Sequence, residues 1–160
     1  MANDTSSRGP GAPLPPTLVY IAGLVVGWWL DGHQALPIDR NGPQITQAVI
    51  GWIAVGVGLL LFVWGLRTFA HARTGIMLQH PARRVVQAGP YRWSRNPQYV
   101  GFTAAYIGAA LLLNSAWPLL LLPVVVLTLL AAVIAREERY MRATFGPAYE
   151  EYCQQVRRWL

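Results

Sequence analysis

Residues 48–66 and 116–135 form two apolar runs without a single charged side chain. A hydrocarbon core of roughly 30 Å takes about 20 residues at 1.5 Å per residue, so each run is long enough, as a helix, to cross a bilayer. Two shorter runs, 17–30 and 99–113, have the same character and are separated from the others by Gly, Pro, Asn or Arg. The short pair spans only by borrowing flanking residues or sitting in thinned bilayer. Charged residues make up 12% of the chain, about half the soluble norm of roughly 25%, which excludes an ordinary water-soluble domain and a disordered or collagen-like chain. The expected fold is an all-α integral membrane protein with about four transmembrane helices.

Residues 1–16 hold Gly9, Gly11, Pro10, Pro13, Pro15 and Pro16 and cannot sustain a helix, so they are read as a flexible tail before a single domain over 17–160. Only Arg8 precedes the first run and no small-x-small site follows Leu30, so that run is read as a retained helix rather than a signal peptide. The loop 67–98 carries Arg67, Arg73, Arg83, Arg84, Arg92 and Arg95 with no acid, whereas 31–47 sets Arg40 against Asp31 and Asp39. The positive-inside rule then places the long loop in the cytoplasm. With four spans, both termini and the arginine-bearing tail 136–160 lie there too; the expected location is a bacterial inner membrane. All 13 basic residues are Arg; their excess matches lipid headgroups and membrane orientation rather than nucleic acid. The single Cys153 rules out an intrachain disulfide framework.

Asn114 and Ser115 leave room only for a tight turn, so the third and fourth helices are expected to form an antiparallel hairpin. Gly101, Ala105, Gly108 and Leu112 place small residues on one stripe of the third helix, and Gly23 with Gly27 and Ala54 with Gly58 do the same on the first and second. A homo-oligomer built on such faces stays open. Pro118 and Pro123 are expected to bend the fourth helix, and its apolar run stops at Arg136-Glu137-Glu138-Arg139. Phe145-Gly146-Pro147 breaks the chain, after which Tyr149, Tyr152, Val156 and Trp159 recur at helical spacing. This amphipathic C-terminal helix should lie on the membrane or fold back over the cytoplasmic mouth.

His33, His71, His80 and Cys153 have no spacing that makes a metal site, and neither a P-loop nor a G-x-G-x-x-G motif occurs, so no metal is assigned. The segment Gly89-Pro90-Tyr91-Arg92-Trp93-Ser94-Arg95-Asn96-Pro97-Gln98-Tyr99-Val100-Gly101 is too specific for a connector. Pro97 fixes the turn into a helix, Gly101 permits close backbone approach, and Arg92 and Arg95 supply fork-shaped cations beside Tyr91 and Tyr99. Antiparallel geometry puts Glu137 and Glu138 on the same membrane face. Arginine and tyrosine are also ordinary boundary anchors, so spacing alone leaves both readings open.

Four pieces in order, Gly89 to Gly101, then Glu137-Glu138, then Phe145-Gly146-x-x-Tyr149-x-x-Tyr152, then Val156-x-Arg158-Trp159, make residues 68–160 resemble the isoprenylcysteine carboxyl methyltransferase and phospholipid methyltransferase superfamily. Arg73-Thr74-Gly75 and Val85-Val86 resemble that family's lead-in. The resemblance implies an S-adenosylmethionine-dependent methyltransferase. By it, Val85, Val86, Tyr91, Asn96, Pro97, Gln98, Tyr99, Gly101, Glu137 and Glu138 bind the cofactor. The implied acceptor is lipophilic: a lipid, a prenylated molecule or another small hydrophobic substrate drawn from the bilayer.

Methyl transfer to such an acceptor needs positioning and a site closed to water. Arg95 and Arg158 are expected to orient an anionic substrate, and Glu138 to take a proton from an amine acceptor. Asn96 stands where eukaryotic members have His. No basic residue occurs in 130–135, where the members that methylate prenylated carboxylates carry Arg, so the acceptor is not fixed. Membrane enone and sterol reductases, which carry a related Arg-x-Pro-x-Tyr segment and use a nicotinamide, are the alternative, although here Phe102 follows Gly101 in place of their acid. A non-catalytic membrane scaffold is the third reading.

Overall fold

A computed structural model describes residues 15–72 and 85–160. The tail before Pro15 and the residues Arg73, Thr74, Gly75, His80, Arg83 and Arg84 lie outside the described residues. The helices are α1 (Pro16–His33), α2 (Ile45–Ala72), α3 (Pro97–Leu112), α4 (Trp117–Leu129), α5 (Ala135–Phe145) and α6 (Pro147–Gln155). A 3-10 turn, Gly89–Arg92, precedes α3, and a π-helical turn, Leu130–Ile134, joins α4 to α5. No strand occurs among the described residues, so the all-helical expectation holds. Two helices, Ile45–His71 and the composite Trp117–Phe145, are long and apolar enough to cross a membrane.

Both long helices outrun the sequence boundaries. The second continues past Leu66 to Ala72, and the fourth does not end at Ala135 but passes through Arg136, Glu137 and Glu138 to Phe145. Arg, Glu, Met and Ala are strong helix formers, so polarity marks where the apolar surface ends and not where the helix does. Termination waits for Gly146, whose φ of 48° ends the helix. Pro118 lies in the first turn of α4, where no helical bond is lost; only Pro123 is inside the helix. The C-terminal periodicity also overran: the chain leaves α6 at Val156, which is extended, so Trp159 is not helical.

Small residues set the packing. On α2, Gly51, Gly58 and Gly65 are buried and recur every seventh position, which keeps them near one face. A side chain at Gly51 would meet Leu112 and the Gly108 carbonyl, and one at Gly58 would meet the Gly101 carbonyl and Ala105. The stripe Gly101, Ala105, Gly108 and Leu112 is therefore the α2-facing side of α3. Gly23 and Gly27 let α1 approach α4 at Val125 and Pro118. Thus α3 lies chiefly along α2 and α4 along α1, rather than α3 and α4 forming the dominant pair.

The α3–α4 turn is held by Asn114, which adopts a left-handed φ of 51°. Its side chain accepts from Asp39 N–H at 3.0 Å and from Gln47 Nε2 at 3.0 Å, and Ser115 donates to Asp31 at 2.8 Å. These bonds satisfy turn groups that hydrocarbon could not. The bundle core is Tyr20, Tyr99, Tyr106, Val125, Leu129, Val133 and Ile134, while Tyr149, Tyr152 and Val156 form a separate cluster. Outward, α2 exposes Trp52 and Leu60 at 66% and 71%, an apolar exterior suited to lipid.

Candidate active site

The start of α3 is built by Asn96-Pro97. The Asn96 carbonyl accepts the N–H groups of Tyr99 and Val100, and Pro97, with no N–H to leave unpaired, opens the helix. Gln98 and Tyr99 consequently sit in the first turn. Tyr91 arrives on the 3-10 turn, whose Gly89 has φ 58° and whose missing side chain would strike Thr68 and Trp64 of α2. Glycine is required there on both counts. The Tyr91 ring packs edge-on against Phe69 at 4.9 Å, and its carbonyl accepts the Tyr152 hydroxyl at 2.7 Å.

Two clusters form from the acidic pair. In the first, the Tyr99 hydroxyl donates to Glu137 Oε1 at 2.8 Å. The buried Gln98 Nε2 has no acceptor among the described residues. A side chain at Gly65 would lie 3.1 Å from Gln98 Cγ and 3.4 Å from the Tyr91 hydroxyl, so this glycine lets both groups pack close against α2. Burial, then the charges of Tyr152 and Glu137, push the Tyr91 hydroxyl well above its ordinary value, so it stays a neutral hydrogen-bonding group at physiological pH. From α1, Tyr20 donates to the Tyr99 carbonyl at 3.1 Å and shares a 2.8 Å bond with Thr103.

In the second, Glu138 is only 4% exposed and faces three guanidinium groups. Arg158 forks onto it through Nε at 2.9 Å and Nη2 at 2.7 Å; Arg95 Nη1 lies 3.3 Å away and Arg142 Nη2 3.8 Å. Arg95 Nη1 also donates to Cys153 Sγ at 2.8 Å. The bonds to Glu138 hold the Arg158 guanidinium above its ordinary pKa. The side-on fork is the strong form of the Arg–carboxylate pair. Upstream of the acids the π turn adds a residue to the helical count, which rotates all that follows by about 100°.

Glu138→Gln is expected to destabilise the fold by about 3 kcal/mol, the lower end for breaking a buried pair, because Arg95 is enclosed while Arg142 and Arg158 are half-exposed. Thermal unfolding in detergent measures it. An unchanged midpoint would remove Glu138 from the fold's stabilising contacts.

The geometry thus brings Tyr91, Gln98, Tyr99 and Glu137 together, and separately Arg95, Glu138 and Arg158. The other sequence candidates frame these groups. Val85 packs on the Tyr149–Tyr152 cluster and Val86 is buried. Asn96 turns its amide to the Arg158 carbonyl at 3.0 Å, Pro97 is buried at the start of α3, and Gly101 meets Gly58 at the α2 crossing. Sequence reasoning missed Gly65, Tyr20, Arg142 and Cys153. Gly65 was legible as the third glycine of a seven-residue series and Arg142 as the i+4 neighbour of Glu138. Tyr20, 79 residues before Tyr99, left no local signal.

The phospholipid methyltransferase family model matches residues 46–148. Protein-S-isoprenylcysteine O-methyltransferase B of Arabidopsis thaliana is 27% identical over 139 residues, covering 87% of this chain and 63% of that protein. A probable protein-S-isoprenylcysteine O-methyltransferase of Oryza sativa subsp. indica is 29% identical over 114 residues, 66% of this chain and 60% of the relative. The Saccharomyces cerevisiae protein-S-isoprenylcysteine O-methyltransferase is 32% identical over 109 residues, 62% of this chain and 46% of the relative. The chain spans less than two thirds of the length of these relatives. No solved structure matches it.

Proposed function

The chain belongs to the phospholipid methyltransferase family, and from that premise we propose that it transfers a methyl group from S-adenosylmethionine to a lipophilic acceptor at the cytoplasmic membrane face. The observation that carries the reading is the cluster of Tyr91, Gln98, Tyr99 and Glu137. It offers a carboxylate set by the Tyr99 hydroxyl and a buried amide donor with no acceptor among the described residues, where Gly65 lets Gln98 and Tyr91 pack close to α2. Such a set fits a ligand with an ammonium, a hydrogen-bond acceptor and a cationic centre. When bound, the cofactor supplies an activated methyl on a sulfonium.

The chain's own residues then have distinct tasks. Glu137, set by the Tyr99 hydroxyl, binds the ammonium; Gln98 donates to an acceptor atom; the tyrosine rings favour positive charge. We assign the cofactor's acid to Glu137 rather than Glu138, whose oxygens Arg158 and Arg95 already occupy. Arg158 and Arg142, each nearly half-exposed, leave guanidinium surface for an anionic group of the acceptor. A lipophilic acceptor is supported by an apolar groove of about 460 Å³ between α1 and α4, lined by Leu18, Gly23, Val125 and Thr128 among others. Phe102, which follows Gly101, packs between Tyr20 at 5.7 Å and Phe62 at 5.1 Å, in the aromatic core, so the residue that reductases make acidic serves packing here.

In the same reading α1 and α3 also span, giving four crossings in a bacterial inner membrane. Trp28 and Trp29 are exposed near one end of the bundle and Trp64 and Trp93 near the other, consistent with aromatic belts at two interfaces. The arginine-rich end, with both termini, faces the cytoplasm.

Equilibrium binding to the detergent-purified protein tests the function. Saturable S-adenosylmethionine binding is expected. Binding of reduced nicotinamide cofactor instead would turn the reading to a reductase, and binding of neither to a scaffold.

A further inference from the structure

Gly146 divides the C-terminal end into a part fixed to the bundle and a part laid across it. Its φ of 48° and ψ of −123° belong to a region that side chains avoid, and a Cβ there would find no atom within 4 Å. The joint therefore has both conformational freedom and space. Beyond it, Tyr149, Tyr152 and Val156 make a buried cluster distinct from the bundle core. The extended tail runs back beside the segment before α3: Arg95 N–H donates to the Arg157 carbonyl at 2.9 Å, and Asn96 Nδ2 to the Arg158 carbonyl at 3.0 Å.

One side chain ties this tail to the acidic pair. Arg158 forks onto Glu138, the neighbour of Glu137, while Tyr152 bonds the carbonyl of Tyr91. The covering unit thus touches both sides of the mouth, and Trp159 of its tail packs against the bundle core. Joined to the bundle by a half-exposed ion pair, a few hydrogen bonds and the partly buried Trp159, such a peripheral unit belongs to the less stable parts of a fold.

We propose that α6 and the tail 156–160 form a hinged cover over the mouth, pivoting at Gly146 and latched by Arg158 on Glu138. Release of the latch exposes the Tyr91–Glu137 cluster without moving the bundle helices. The latch is independent of what the mouth binds; its role in admitting S-adenosylmethionine rests on the function proposed above.

The sole thiol, Cys153, sits within the cover with its sulfur against Arg95, so its maleimide labelling rate in the full-length protein reports opening. Arg158→Ala is expected to label about tenfold faster than wild type, the factor set by one charge-assisted bond discounted for exposure. Arg158→Lys should fall between them because an ammonium cannot make the fork. Labelling of Arg158→Ala at the wild-type rate overturns the latch. Hydrogen exchange on the unmodified protein gives a second reading: amides of α6 should exchange together and faster than those of α3, and exchange with the slowest class overturns the cover even if the variant does not fold. Saturating S-adenosylmethionine should slow wild-type labelling. If the latch results hold and this slowing is absent although the cofactor binds, gating is overturned; if the cofactor does not bind, it is the proposed function that falls.

Discussion

Glu137→Gln is expected to weaken S-adenosylmethionine binding by roughly 30- to 150-fold, the loss of about 2–3 kcal/mol for a charge-assisted hydrogen bond in an enclosed site. The substitution keeps the shape and leaves an amide oxygen for the Tyr99 hydroxyl, now 2.8 Å from Oε1, so the fold should persist. Isothermal titration against wild type reads the loss, and the unfolding midpoint provides the control. Its counterpart at the neighbouring position should behave in the opposite way, because Glu138 faces Arg95, Arg142 and Arg158, whereas Glu137 meets the Tyr99 hydroxyl. Glu137→Gln should cost affinity with little stability, and Glu138→Gln stability first. Equal affinity of Glu137→Gln and wild type would remove Glu137 from the cofactor site and leave the pair's division of labour without support.

That division could not be read from the sequence, where Glu137-Glu138 is one feature. Adjacent helical residues point about 100° apart, so one reaches α3 and the other the tail. Which goes where depends on the π turn at Leu130–Ile134, and an apolar stretch such as Leu-Ala-Ala-Val-Ile gives no sign of an added residue. Long-range partners were equally silent: Tyr20 meets Tyr99, and Arg158 meets Glu138, because of the fold and not because of spacing. Local features fared better. The four apolar runs all became helices, the Gly101-to-Leu112 stripe faces α2, and Phe145-Gly146-Pro147 breaks the chain where expected. The helix boundaries were misjudged where charged residues with high helix propensity carried the helix onward. Small-residue pairing was half legible: Gly51 and Gly58 make the α2 contact, where Ala54 with Gly58 was the expected pair.

Gly58 should be the least tolerant position in the bundle. A Cβ there would press on the Gly101 carbonyl and come within 2.9 Å of Ala105 Cβ and 3.0 Å of its N. Backbone cannot swing aside as a side-chain tip can, so α2 and α3 must separate along their length. Overpacking of this kind costs about 2–3 kcal/mol, and in a membrane the lost van der Waals contact is not offset by a hydrophobic force between helices. Gly56 supplies the internal control: it lies on the same helix, and a methyl group added there would have no atom within 4 Å, so Gly56→Ala should be neutral or gain up to about 1 kcal/mol from helix propensity. The two alanine variants are expected to move the detergent unfolding midpoint in opposite directions; parallel shifts would contradict the α2–α3 contact. The effect should also reach the site. Gly65 stands seven residues, about 10 Å, further along α2, facing Gln98 on α3, so helices forced apart at Gly58 splay the space between Gly65, Gln98 and Tyr91. Gly58→Ala is therefore expected to lose cofactor affinity as well as stability, although residue 58 touches no part of the mouth.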